Sequence, residues 1–299
     1  MEKNRENESG ILKRLLWVFC GIFVMFSFSL LSYLANALLG YRLSAISNAG
    51  MRLILGGVWL LAAAVILIVA RQNPLEAFNI LAVRSPMQWW ALPVNCVFGF
   101  MAGVGLNRVI TVLIEWIPFP DKWIQGNAES VGAVSEGNPV VVMLSVGIMA
   151  PVLEELAFRG KGFRYVEKAC GGGRVGVAAA TAATAVLFAL AHGNILQGIY
   201  AFLCGITFAV IMKSSGSVIP GIFAHSGFNL ANLLLYTMFS TKPETDVPVA
   251  VVCFAVLPAS LAAVIIIGRM LRDRGGAESE QGPPPSIYID PEKKDSGNS

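Results

Sequence analysis

Eight stretches of this chain stay apolar for about 17 residues or more, and that pattern leaves few folds open. About 20 residues rising about 1.5 Å each cross a hydrocarbon layer of roughly 30 Å, so each run suffices for one bilayer crossing. The runs are Leu15 to Leu39, Leu53 to Ala70, Trp89 to Ile114, Val140 to Phe163, Val175 to Ala191, Ile195 to Met212, Val218 to Phe239, and Val247 to Gly268. Lipid offers no partner to backbone polar groups, so runs of this kind cross as helices. The predicted fold class is all-α, a polytopic membrane protein with about eight transmembrane helices. Only 14% of residues are charged and mean hydropathy is +0.65, which excludes an ordinary soluble enzyme or a disordered chain. A net charge of +3, spread thinly, excludes a nucleic-acid partner. Membrane lipid is the expected surroundings.

Lys13 and Arg14 precede the first run as in a signal peptide, but the run is too long for a cleaved one and is read as an anchor. With the N-terminus cytoplasmic, 17 of the 22 Lys and Arg fall on the cytoplasmic side. Arg42, Arg52, Lys122 and Lys242 fall outside, and Arg108 falls within a span. The positive-inside rule then predicts cytoplasmic N- and C-termini. The expected organisation is a cytoplasmic N-terminal tail over 1–14, and a three-span region with an external loop over 15–138. A core over 139–240, a last span over 241–268 and a disordered cytoplasmic tail over 269–299 complete it. The cysteines are scattered singly, without the paired spacing of a zinc or redox site. Nothing in the pattern sets an oligomeric state.

Carboxylates are expensive in a membrane, and only Glu154 and Glu155 sit well inside an expected span. On a helix Glu155 and Arg159 are four residues apart on one face and can pair, while Glu154 points about 100° away. One carboxylate is thus neutralised structurally and the other is left for proton transfer. Both histidines of the chain also lie in spans. His192 follows Phe188 by one turn, and His225 precedes Asn229 by one turn, with Gly221, Ala224, Ser226 and Gly227 allowing close helix approach. A water among Glu154, His192, His225 and Asn229 would meet a base, proton carriers and an amide donor. Those groups can activate water, steady an oxyanion and protonate a leaving amine. The plainer alternatives are an ion pair closing a helix end for Glu155 and Arg159, interhelical hydrogen bonds for the histidines, and packing for Phe188.

The run Glu154, Glu155 and Arg159, then Phe188 with His192, then His225 with Asn229, resembles the CPBP family of intramembrane proteases, also called Abi-like. That family includes type II CAAX prenyl endopeptidases and bacteriocin-processing or immunity proteins. The resemblance covers about 139–240. It implies a helical cavity open toward the cytoplasm and the bilayer. In it Glu154 and His192 would activate water, His225 and Asn229 would hold it or stabilise the oxyanion, and Glu155 and Arg159 would brace the site. The substrate would be a membrane-associated peptide or protein, CAAX-type or leader or bacteriocin-type, in the plasma membrane if the cell is bacterial. His192, His225 and Glu154 match a two-His, one-Glu zinc pattern, yet no HExxH helix fixes the ligands. Metalloprotease chemistry therefore stands beside a metal-free glutamate route, which is the reading preferred. A proton-coupled transporter, or a non-catalytic immunity or scaffold protein that retains the motif, are the alternative functions.

Overall fold

A computed structural model describes residues 2–43, 46–80, 90–239 and 247–280. Side chains are described over 10–35, 37–38, 46–80, 90–232 and 251–271. The helices are α1 (Glu2–Leu43), α2 (Asn48–Val69), the short α3 (Pro74–Ala77), α4 (Ala91–Trp116) and α5 (Asp121–Ser135). Then come α6 (Pro139–Ala169), α7 (Gly173–Ala191), α8 (Ile195–Ser215), α9 (Ile219–Phe239) and α10 (Val247–Glu280). The protein is all-α and polytopic. Each of the eight apolar runs falls on a helix. Over the described residues seven helices are long and apolar enough to span a membrane; α9 is the remaining run, and its side chains are described only to residue 232.

The structure adds detail to three expectations. The N-terminal 1–14 is helical from Glu2, as part of α1. The external loop contains the helix α5, where Gln125 donates to Glu129 one turn on, at 3.0 Å. The last helix does not stop near Gly268 but runs to Glu280, because the residues just past the span, such as Arg269, Leu271 and Arg272, are good helix formers. Residues 281–299 of the expected tail, and Lys242, lie outside the described residues.

Small residues set the tightest packing. α4 lies against α9 so closely that a Cβ on Gly99 or Gly103 would run into the carbonyls of Pro220 and Ala224, and one on Gly227 into that of Phe100. Asn107 adds an interhelical bond, its amide donating to the Phe228 carbonyl at 3.1 Å. Ala102, Ala224 and Ala231 are fully buried in this seam. Lipid tails are as apolar as leucine, so close backbone approach and interhelical hydrogen bonds hold such helices together. The outward faces of α1 and α2 keep large apolar side chains exposed, among them Phe19, Phe23, Ile54 and Ile66, as a lipid-facing surface requires.

The bundle has two distinguishable ends. At one, Asn48 donates to the Ala133 carbonyl at 3.3 Å and Tyr200 to Asn127 Oδ1 at 3.0 Å. At the other, the backbone N–H of Val218 donates to the Asn79 carbonyl at 2.9 Å, and Lys213 pairs with Glu167 at 3.2 Å. Ser217 ties this second end together, donating to the Ile80 carbonyl at 2.6 Å and accepting from the first N–H of α9 at 3.2 Å. Replacing Ser217 with alanine is expected to lower stability by about 0.5–2 kcal/mol, the usual loss for a capping hydroxyl, measurable as a shift in melting temperature. An unchanged melting temperature would show that Ser217 does not act as a cap.

Candidate active site

α6 carries the acidic pair, and its backbone is irregular on both sides of it. The segments Met143–Met149 and Leu156–Gly162 are π-helical, flanking a regular piece, Ala150–Glu155. The first irregularity follows from Pro151. The Ala150 N–H reaches back to the Ser145 carbonyl, one residue further than in an α-helix, and the next donor in that register would be Pro151, which has no N–H. The Val146 carbonyl is left over. Asn229 on α9 takes it, donating from Nδ2 at 2.8 Å. Proline, the π segment and asparagine thus fasten α6 to α9 at the level of the site.

Glu155 and Arg159 pair as expected, Oε1 to Nη1 at 2.9 Å, with both side chains fully buried. The guanidinium sits among three rings, with its carbon 4.3 Å from the centroid of Phe188, 5.6 Å from Phe208 and 5.7 Å from Phe158. Rings in these positions face a cation favourably where water is excluded. The same carboxylate oxygen also lies 3.2 Å from His225 Nδ1. Since a carboxylate only accepts, Nδ1 carries a hydrogen and Nε2 turns away from the pair. His225 Nε2 then faces Glu154 Oε2 at 3.8 Å, a gap that suits a bridging water. The ring of Phe208 stacks on His225 at 4.9 Å.

Glu154 differs from its neighbour in exposure. About a third of its side chain, 32%, is open, against none for Glu155, and the opening is a cavity of about 760 Å³. His192, His225 and Asn229 line the same cavity. His192 ends α7 and bonds through Nδ1 to the Phe188 carbonyl at 2.8 Å, which makes Nδ1 the donor and leaves Nε2 free to accept. Phe188 stands edge-on to both imidazoles, its centroid 4.8 Å from His192 and 5.7 Å from His225. It also packs edge-on to Phe158 at 5.2 Å. Phe188 is therefore the wall between the Arg159 pocket and the histidines.

All seven residues singled out from sequence come together here. Sequence reasoning missed that Glu155 holds His225 as well as Arg159, a contact between helices far apart in the chain. It also missed Gln197 and Tyr200 of α8, and the residues of α5 that line the cavity, because they carry no charge to mark them. The zinc set of His192, His225 and Glu154 is not gathered as a metal site. Among the described residues no group of three or more His, Cys, Asp or Glu side chains is placed to hold a metal ion. No step below runs through a metal.

The cavity belongs to the end of the bundle that carries Asn48, Arg52 and α5. Lys161, Lys168, Arg174 and Lys213 belong to the opposite end. The start of α1 and the end of α10 lie with the basic end, opposite the α2 and α5 residues that line the cavity.

Residues 136–231, from the end of α5 into α9, match the family model described as type II CAAX prenyl endopeptidase Rce1-like. The match contains the whole of the acidic pair, both histidines and Asn229. No curated protein and no solved structure matches the chain.

Proposed function

We propose that this chain, a CPBP-family intramembrane protease by its segment 136–231, cleaves membrane-anchored peptides by glutamate-activated water. The observation that carries the reading is the contrast between the two adjacent carboxylates: Glu155 is sealed between Arg159 and His225, and Glu154 is open to the cavity beside His225 Nε2. In the reaction a water held by Glu154 and the free Nε2 atoms of His192 and His225 gives its proton to the Glu154 carboxylate and adds through oxygen to the scissile carbonyl carbon. The oxyanion takes the second N–H of Asn229, whose first is used on Val146. The C–N bond then breaks and the leaving amine takes the proton from Glu154. Glu155 and Arg159 hold the His225 ring in register and take no proton.

The cavity mouth faces the non-cytoplasmic side in this reading. The assignment of 17 of the 22 Lys and Arg to the cytoplasmic side, with Lys161, Lys168, Arg174 and Lys213 at the end opposite the cavity, has a physical cause in membrane insertion and outweighs the cytoplasmic opening expected by resemblance. The fitting substrate is a peptide segment presented at the outer face or from the adjoining bilayer. Cys170 is exposed at the turn between α6 and α7, at the basic end. It is expected to escape a membrane-impermeant maleimide on intact cells and to react once the membrane is opened. Labelling on intact cells would place the mouth in the cytoplasm instead.

The activity itself is tested by reconstituting the purified protein in vesicles with tagged membrane-anchored peptides and reading new termini by mass spectrometry. New termini with the wild type that vanish with Glu154→Gln support the reading. Equal cleavage by Glu154→Gln, or solute transport with no new termini, defeats it.

A further inference from the structure

A second cavity, of about 460 Å³, opens at the basic end of the bundle, away from the carboxylates and histidines. Its walls are the segment that follows α2 and the last turns of α6. Arg71, Lys161, Arg164 and Lys168 line it, against Glu76 as the one carboxylate among the lining residues.

Two of the four cations are held by neutral groups. Lys161 donates to Gln72 Oε1 at 2.8 Å, and Arg164 donates to the Glu76 carbonyl and, at 3.1 Å, to Asn79 Oδ1. These bonds fix the positions of Lys161 and Arg164 without neutralising them, so four cations face one carboxylate within one cleft. The opposing wall is also built. Arg71 and Gln72 turn back on the end of α2 through bonds to Ile68 and Leu67, and Asn73 caps α3 by accepting from Leu75 at 3.0 Å. A fixed, concave group of cations with neutral supports is a receptor for an anion with several acceptor oxygens.

Position selects the source of that anion. Arg71 follows the last turn of one span, and Lys161 to Lys168 occupy the last turns of another, so the cleft lies at the headgroup level of one leaflet. Ile68 and Val69 beside it are 64% and 78% exposed, and Leu75 is 43% exposed, which offers acyl chains a surface next to the charges. Tyr165, also in the lining, is a side chain that favours this interface. We infer that this cleft binds the phosphate of an anionic phospholipid, with the acyl chains lying along the end of α2. Basic pockets between transmembrane helices bind such headgroups by the same physics.

The test uses the full chain in detergent, titrated with phosphatidylglycerol, with phosphatidylcholine and with inorganic phosphate, and bound lipid is counted by native mass spectrometry. The variant is Arg71→Gln with Lys168→Gln, two exposed side chains that make none of the supporting bonds above and lie outside the catalytic cavity. Removal of each cation is expected to weaken phosphatidylglycerol binding about fivefold, hence about 25-fold for the pair. Arg71→Lys with Lys168→Arg should restore it, and cleavage should be unchanged in both. Wild-type phosphatidylglycerol affinity in the Gln pair, or equal binding of phosphatidylcholine, would overturn the assignment. Saturation by inorganic phosphate with no preference for the lipid would overturn it as well, and would give the cleft to a soluble phosphate. The binding readouts do not depend on proteolysis, so they stand apart from the fate of the catalytic proposal.

Discussion

Exchange of Glu154 for glutamine is expected to lower kcat/KM by about 10²- to 10⁴-fold, the range for loss of a general base, and to leave the melting temperature in place. The substitution keeps the shape, and the side chain it alters is partly open in the cavity and makes no hydrogen bond among the described residues, so stability should move by no more than about 0.5 kcal/mol. Glu155→Gln should behave differently. That carboxylate is fully buried and serves Arg159 and His225 from one oxygen, and neutralising it leaves the guanidinium charged and enclosed by aromatic rings. Breaking one partner of a buried ion pair costs about 3–5 kcal/mol, so Glu155→Gln should lose melting temperature and activity together. The two variants, compared by thermal unfolding and by cleavage on the same preparations, separate chemistry from support. A Glu154→Gln protein with full activity, or a Glu155→Gln protein with an unmoved melting temperature, would reverse the roles assigned here.

Gly103→Val is expected to be the most damaging change outside the site. A Cβ at this position collides with the Ala224 carbonyl and with the backbone around Phe228, and neither is the yielding end of a flexible side chain. α4 and α9 would have to separate, which breaks the bond from Asn107 to Phe228 and moves His225, one residue after Ala224. Overpacking of cores usually costs about 1–3 kcal/mol, and a clash of backbone with backbone lies at the upper end or beyond it. Gly57→Ala is the matched control. Gly57 sits inside α2 with open space around it, so a methyl group there should be neutral or stabilising by up to about 1 kcal/mol. Folded yield and melting temperature of the two variants check the pair, and equal behaviour would argue against a close α4 to α9 seam.

The spans were readable because the hydrophobic requirement of a membrane is carried by runs of residues in sequence. The site was readable because charge inside such a run is rare, so that Glu154, Glu155, His192 and His225 stand out without any coordinates. What stayed hidden was the pairing of distant helices. The spacing of Glu155 and Arg159 showed their bond, but no local pattern could show that His225 shares it across 70 residues of chain. Pro151 hinted at a disturbed helix, yet which carbonyl it orphans depends on the π register, and the partner, Asn229, comes from another helix. The apolar α2 end and the charged α6 end each looked like ordinary span termini, and only folding brings them together as a cleft. That α5 lines the cavity was likewise out of reach, since its lining residues, from Ser130 to Ser135, are neutral and only mildly hydrophobic.

The π segment before the acidic pair makes the number of residues between Asn138 and Glu154 a functional quantity. A π turn holds its place with surplus backbone, so a one-residue deletion within 143–149 could be absorbed by relaxation to an ordinary α-helix. The helix would survive, and so would its two ends. The flanking pieces would keep their register, but the surplus residue that leaves the Val146 carbonyl open to Asn229 would be gone, and with it the bond that fastens α6 to α9. Loss of a single codon there would thus leave an intact membrane protein whose acidic pair has lost its fastening to the neighbouring helix.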